Sequence, residues 1–108
     1  MNECKTEVHG DVLLVRVGGE VDMSWSQSIR KTILEALGKS DMVGVDLSAV
    51  SYIDSSGIAA LVEGFQSARG KGQKFALVGS SAAVKAVLQL ARLDRVFPMV
   101  DTLDAIRG

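Results

Sequence analysis

The chain alternates between stretches whose apolar residues recur every second position and stretches where they recur every third or fourth. Residues 3–8 place Cys4, Thr6 and Val8 on one side and Glu3, Lys5 and Glu7 on the other, a short strand closed by the turn residues His9, Gly10 and Asp11. Residues 12–17, VLLVRV, form a firmer strand whose single charge is Arg16. The two together predict an antiparallel hairpin with the first strand at a sheet edge. Gly18 and Gly19 are expected to end the second strand. A helix follows over residues 25–37, because Trp25, Ile29, Ile33, Leu34 and Leu37 fall on one stripe; Ser24 or Asp22 is its expected cap and Gly38 its terminator.

Residues 42–47 are rich in Val and alternate too weakly for one wet face, which predicts a strand buried on both sides. Residues 49–53 carry it on to a polar turn, Asp54-Ser55-Ser56-Gly57. The next helix puts Ile58, Leu61, Val62 and Phe65 on one stripe and runs to about residue 68, before Arg69, Gly70, Lys71 and Gly72. Lys74–Val78 is a strand, and Gly79, Ser80 and Ser81 end it and offer a second helix cap. Over residues 82–93, Val84, Val87, Leu88 and Ala91 form a stripe that Leu90 and Leu93 widen. Val96, Phe97, Met99 and Val100 predict a last short strand, which Pro98 confines to an edge or ends. Residues 101–107 predict a short terminal helix. The order β-β-α-β-α-β-α-β-α, with right-handed crossovers, predicts an α/β fold: one small domain over residues 1–108, with a mixed four- to five-stranded sheet and about four helices.

Composition narrows the function more than the fold. With 108 residues, 47% of them apolar and 23% charged, the chain has room for one modest core. The formal net charge of -1 gives no general attraction to nucleic acid or to an anionic membrane. Residues 1–54 hold nine acidic and five basic side chains, and residues 55–108 hold four and seven, an asymmetry that permits an acidic binding face. Cys4 is the only cysteine, which excludes an internal disulfide and a thiolate metal cluster and favours a reducing compartment. No apolar run approaches a membrane span, so direct membrane insertion is not expected and the location expected is cytoplasmic.

Enzymatic chemistry lacks its parts. His9 is the only histidine and lies in a predicted turn, which argues against a Ser-His-acid triad. The GSS at 79–81 and the GKGQK at 70–74 lack the spacing of a phosphate-binding loop, and Gly18-Gly19 is too short for a dinucleotide fingerprint. Asp22, Asp46 and Asp54 are too scattered to predict a metal centre. No cofactor is expected and the chain is not expected to be an enzyme.

The turn at 54–57 has two readings on position alone. Asp54 or Ser55 caps the helix and Gly57 lets the turn pack closely, or a serine of the first helical turn accepts a phosphate. A phosphate there meets unpaired N–H groups and the positive end of the helix dipole, while its charge opposes Asp54, and Asp22 if that loop is adjacent. Such a modification would act at a docking surface rather than by refolding the domain.

Three segments resemble the STAS domain family, in particular its anti-sigma factor antagonists of bacterial partner switching: VGGEVD at 17–22, VDLSAVSYIDSSGIAALVEGF at 45–65, and the KFALVGSSAAVKAVLQLARLDRVFPMVDTLDAI pattern from residue 74. The middle segment is the most specific. The resemblance implies a partner switch in which the unphosphorylated protein binds an anti-sigma factor that is also a GHKL-type serine kinase. Phosphorylation of the second serine of the D-S-S-G turn, Ser56, ends that binding, and a PP2C-like phosphatase restores it. ATP is then the kinase's cofactor. Asp22, Ser24, Asp54, Ser55, Gly57 and Ile58 are the implied partner contacts, and Ser55 is left with the capping role. Similar domains serve non-sigma outputs, or dock as subunits of larger complexes such as a stressosome or a phospholipid-transport assembly. The loop Met23-Ser24-Trp25 departs from the commoner polar or small pairing at that place. It leaves Trp25 either at the head of the core stripe or as a partner anchor.

Overall fold

The computed structural model describes residues 2–106. Five strands, β1 (Glu3–His9), β2 (Val12–Val21), β3 (Met42–Ile53), β4 (Lys74–Val78) and β5 (Met99–Val100), form one sheet in the order β1-β2-β3-β4-β5. β1 runs antiparallel to β2, and every later pair is parallel. Helices α1 (Met23–Leu37), α2 (Ser55–Gly70) and α3 (Ala82–Leu90) connect the parallel strands. Since the sheet is laid down in one direction, right-handed crossovers place all three helices on one face. The expected mixed sheet, element order and edge position of the first strand are all present.

That face carries the main core. Val15 and Val17 of β2, Val43, Val45 and Leu47 of β3 and Leu77 of β4 meet Ile29 and Ile33 of α1, Leu61 of α2 and Val84 and Leu88 of α3. The opposite face is covered in part by a single 3-10 turn, Leu103–Ile106, where the sequence predicted a terminal helix over residues 101–107. Arg107 lies outside the described residues. Ile106 packs with Val12, Leu14, Ala76 and Val78. Gly44 makes room for it, since a Cβ there would stand 2.7 Å from Ile106 Cδ1 and 3.0 Å from Val78 Cγ2. The rest of that face is polar: Arg16 donates to Glu7 at 2.9 and 3.2 Å and to Asp46 at 3.3 Å.

Four sequence expectations are corrected. β2 does not stop at Gly18-Gly19 but continues to Val21, because β3 bulges beside it. The register shifts once between Arg16 and Gly18 and again between Gly19 and Glu20, and Gly19 takes φ 88°, a backbone conformation open to glycine. α3 ends at Leu90, not near residue 93, and Leu90 is 90% exposed instead of widening the stripe. Ala91 closes the helix and Arg92, at φ 59°, turns the chain away. β5 holds only Met99 and Val100; Val96 and Phe97 precede it in a turn, with Phe97 buried in the main core. Among the described residues the expected short terminal helix is a 3-10 turn, beside three α-helices.

Candidate functional site

Parallel pairing of β2 with β3 ends at Val21 opposite Ile53, so the two strands deliver Asp22 and Asp54 side by side to the helices that follow. The backbone N–H of Asp54 donates to the Val21 carbonyl at 3.1 Å, tying the second turn to the first strand. Each aspartate is an N-cap in extended conformation. Asp22 accepts the Ser24 backbone N–H at 3.0 Å and the Ser24 hydroxyl at 2.6 Å. Asp54 accepts the Ser56 N–H at 2.9 Å, the Ser56 hydroxyl at 2.6 Å and the Gly57 N–H at 3.2 Å. Adjacent helix starts thus carry the same Asp-x-Ser arrangement, in which Asp22 satisfies one and Asp54 two of the orphan backbone N–H groups that a helix N-terminus leaves.

The cap of α2 is Asp54, not Ser55. Ser55 is exposed and makes no hydrogen bond to a side chain or cap among the described residues, because a helix N-cap has to stand outside the helix and Ser55 is its first residue. Ser56 is partly exposed, with its hydroxyl held by the cap carboxylate. That hydrogen bond, followed by those from the Gly57 and Ser56 N–H groups, holds the Asp54 carboxyl below its usual range, so it is ionised at neutral pH. No basic side chain pairs with Asp22 or Asp54 among the described residues.

The other implied contacts separate by depth. Ser24 is exposed, as is the neighbouring Met23 at 77%. Gly57 and Ile58 are buried beneath the turn. A Cβ on Gly57 would lie 2.6 Å from Val21 Cγ1 and 2.7 Å from Ile53 Cγ1, so this glycine seats the start of α2 on the ends of both strands. Trp25 is half-buried against the main core with Nε1 enclosed, which places it at the head of the α1 stripe. Sequence reasoning missed Tyr52, 51% exposed just before the site. Simple alternation puts Val50 and Tyr52 on one face, but the second bulge separates them, burying Val50 and exposing Tyr52. It also missed the pairing of Arg30 in α1 with Glu63 in α2, with one contact at 2.7 Å, which spans the two helices that carry the site.

Among the described residues no group of three or more His, Cys, Asp or Glu side chains gathers to hold a metal ion, and no helix is long and apolar enough to cross a membrane. What the arrangement offers is a hydroxyl oriented by an ionised carboxylate at a helix N-terminus, beside a second carboxylate–hydroxyl pair on the neighbouring strand end.

The chain is similar to the anti-sigma-F factor antagonist RsfB of Mycobacterium tuberculosis, at 28% identity over 102 residues, spanning 93% of this chain and 83% of RsfB. It is 26% identical over 101 residues to an anti-sigma F factor antagonist of Paenibacillus polymyxa, covering 92% of this chain and 86% of that one. The crystal structure of an anti-sigma factor antagonist from Mycobacterium paratuberculosis matches with a TM-score of 0.86 at 29% identity, over 99% of this chain and 92% of that one. The STAS domain model matches residues 3–106, and the chain belongs to the STAS domain family.

Proposed function

We propose that this protein is an anti-sigma factor antagonist that docks an anti-sigma factor through the surface around Asp22, Ser24, Asp54 and Ser56, and that phosphorylation of Ser56 releases it. The docked partner in this reading is itself a GHKL-type serine kinase, and a PP2C-like phosphatase reverses the modification. The relatives named above carry the first part of the reading. The observation that carries the second is the 2.6 Å hydrogen bond from the Ser56 hydroxyl to Asp54 on the first turn of α2. It fixes the hydroxyl in one orientation at a partly exposed position, whereas Ser55 beside it has no such partner. A phosphate on Ser56 removes that hydrogen bond and sets about two negative charges against the ionised Asp54. The N–H groups and dipole of α2 offset part of this repulsion. The fold therefore tolerates the modification, and its effect falls on whatever is docked over the two helix starts.

The test is incubation with a cognate GHKL-type serine kinase and ATP, followed by mapping of the phosphate by mass. One phosphate on Ser56, absent in Ser56→Ala, and loss of kinase binding in Ser56→Asp are expected. Phosphate on Ser55 instead would overturn the residue assignment, and unimpaired kinase binding by Ser56→Asp would overturn the switch.

A further inference from the structure

Away from the two helix starts, a slot of about 250 Å³ opens along the outer edge of β4. One wall is the C-terminal half of α2, through Phe65, Ala68 and Arg69; the other is the 3-10 turn, through Ala105 and Ile106; Pro98 and Val100 close one end. The floor is the edge of β4 at Lys74–Ala76, which β5 leaves uncovered, because β5 pairs only with Leu77 and Val78.

The backbone there is one strand short. The Leu77 N–H donates to the Pro98 carbonyl and the Gly79 N–H to the Val100 carbonyl, so odd-numbered residues of β4 point their polar groups toward β5. The Lys74 N–H, by contrast, donates to the Asp41 carbonyl on the β3 side. By the same two-residue period, the N–H and C=O of Phe75 point into the slot, where β5 supplies no partner. Phe75 is only 4% exposed, so this donor–acceptor pair sits among apolar walls rather than in open water. A nearly buried backbone pair without a partner among the described residues is costly, and an added strand segment is the group that satisfies a donor and an acceptor together.

We propose that this slot binds an extended peptide segment of a partner protein by strand addition to β4, in line with β5. With the peptide parallel to β4, as β5 is, the Phe75 N–H donates to one peptide carbonyl and the Phe75 C=O accepts the peptide N–H two residues further along. The side chain of the peptide residue between these two bonds faces one of the α2 and 3-10 walls, and the side chains of its two neighbours face the other. Arg69 stands at the rim, exposed and without an ion pair among the described residues, and selects an acidic side chain next to the apolar anchor. The slot uses the end of α2 remote from its start at Asp54, so both can be occupied at once.

The experiment is a titration of the 15N-labelled protein with the capped pentapeptide EVLVE, followed by amide signals. Saturable shifts at Arg69, Phe75, Ala76, Val100 and Ala105 are expected. The capped peptide KVLVK should bind about three- to fivefold more weakly, a preference that Arg69→Glu reverses. An analogue with every inner amide N-methylated should bind about tenfold more weakly or worse, since it forfeits the backbone pairing. Equal binding of the N-methylated peptide, or shifts confined to other residues, overturns strand addition. Saturation of these residues by octanoate but not by EVLVE assigns the slot to a small amphiphile instead. Movement of the same signals on concentrating the protein alone assigns it to a second copy of the chain. Either result overturns the proposal.

Discussion

Gly57 is the residue on which site and core meet, and its replacement by alanine puts a number on that junction. The added methyl group would stand 2.6 Å from Val21 Cγ1 and 2.7 Å from Ile53 Cγ1, with Ile53 Cδ1 at 3.2 Å. Neither neighbour can retreat easily. Both are β-branched and stiff at χ1, and both are buried at the ends of paired strands. The first turn of α2 must lift instead, and an extra methyl in a filled site costs roughly 1–3 kcal/mol. Alanine gives back up to about 1 kcal/mol of helix propensity. A net loss of about 1–2 kcal/mol is expected, and a domain of this size moves by roughly 4–8 °C per kcal/mol, so thermal unfolding should fall by about 5–15 °C. Gly70→Ala is the matched control: the same chemical change in the same helix, with nothing within 4 Å of the new methyl. It should be stabilising by roughly 0.4–1 kcal/mol through the unfolded chain. Opposite signs for the two variants, read by calorimetry, confirm that the close seating at Gly57 is what sets its identity. A Gly57→Ala protein as stable as the parent would refute the reasoning, because the turn would then have slack that the distances deny.

Other residues give further tests. Ser81→Ala should cost about 1–2 kcal/mol in urea unfolding, since its hydroxyl both caps α3 at Val84 and donates to the Val50 carbonyl at 2.7 Å. Ser55→Ala should stay within about 0.5 kcal/mol of the parent, as an exposed residue outside the cap. Leu88→Ala should cost about 2–5 kcal/mol, and Leu90→Ser next to it almost nothing, as 0% and 90% exposure require. Hydrogen bonds from Arg16, and then from His9, hold the Glu7 carboxyl down to about 2. Its folded form therefore stays ionised where the unfolded chain takes up a proton. The stability it contributes is complete above pH about 4.5 and disappears as the pH falls toward 2. Glu7→Gln should flatten the fall in urea midpoint across that window; an unchanged slope would show that the Arg16 contact is not maintained in solution.

How far the sequence reveals this molecule depends on how local each feature is. The stripes of α1 and α2 and the hairpin of β1 with β2 are readable because the signal, a period of two or of three to four, lies within one element. Asp22, Asp54 and Ser56 are readable as polar punctuation between such elements. The division of labour between Asp54 and Ser55 is less so, since each can cap a helix and the choice rests on which residue takes the extended conformation. Leu90 illustrates a second limit, because periodicity does not say where a helix stops, and the chain leaves α3 one turn before its apolar residues end. The hardest feature to read is the one that makes the site. Asp22 and Asp54 are neighbours only because β3 spends two extra residues against β2, so that Val21 falls opposite Ile53. Had β3 paired without those bulges, the offset of 30 residues between Arg16 and Asp46 would have held, placing Val21 opposite Ser51 and Asp22 opposite Tyr52. The two carboxylate–hydroxyl pairs would then stand two residues out of step, at different heights on the rim of the sheet. A register shift is a contest between two strands far apart in sequence. The glycines at 18 and 19, which look like a stop signal, are what allows β2 to follow its bulged partner to the site.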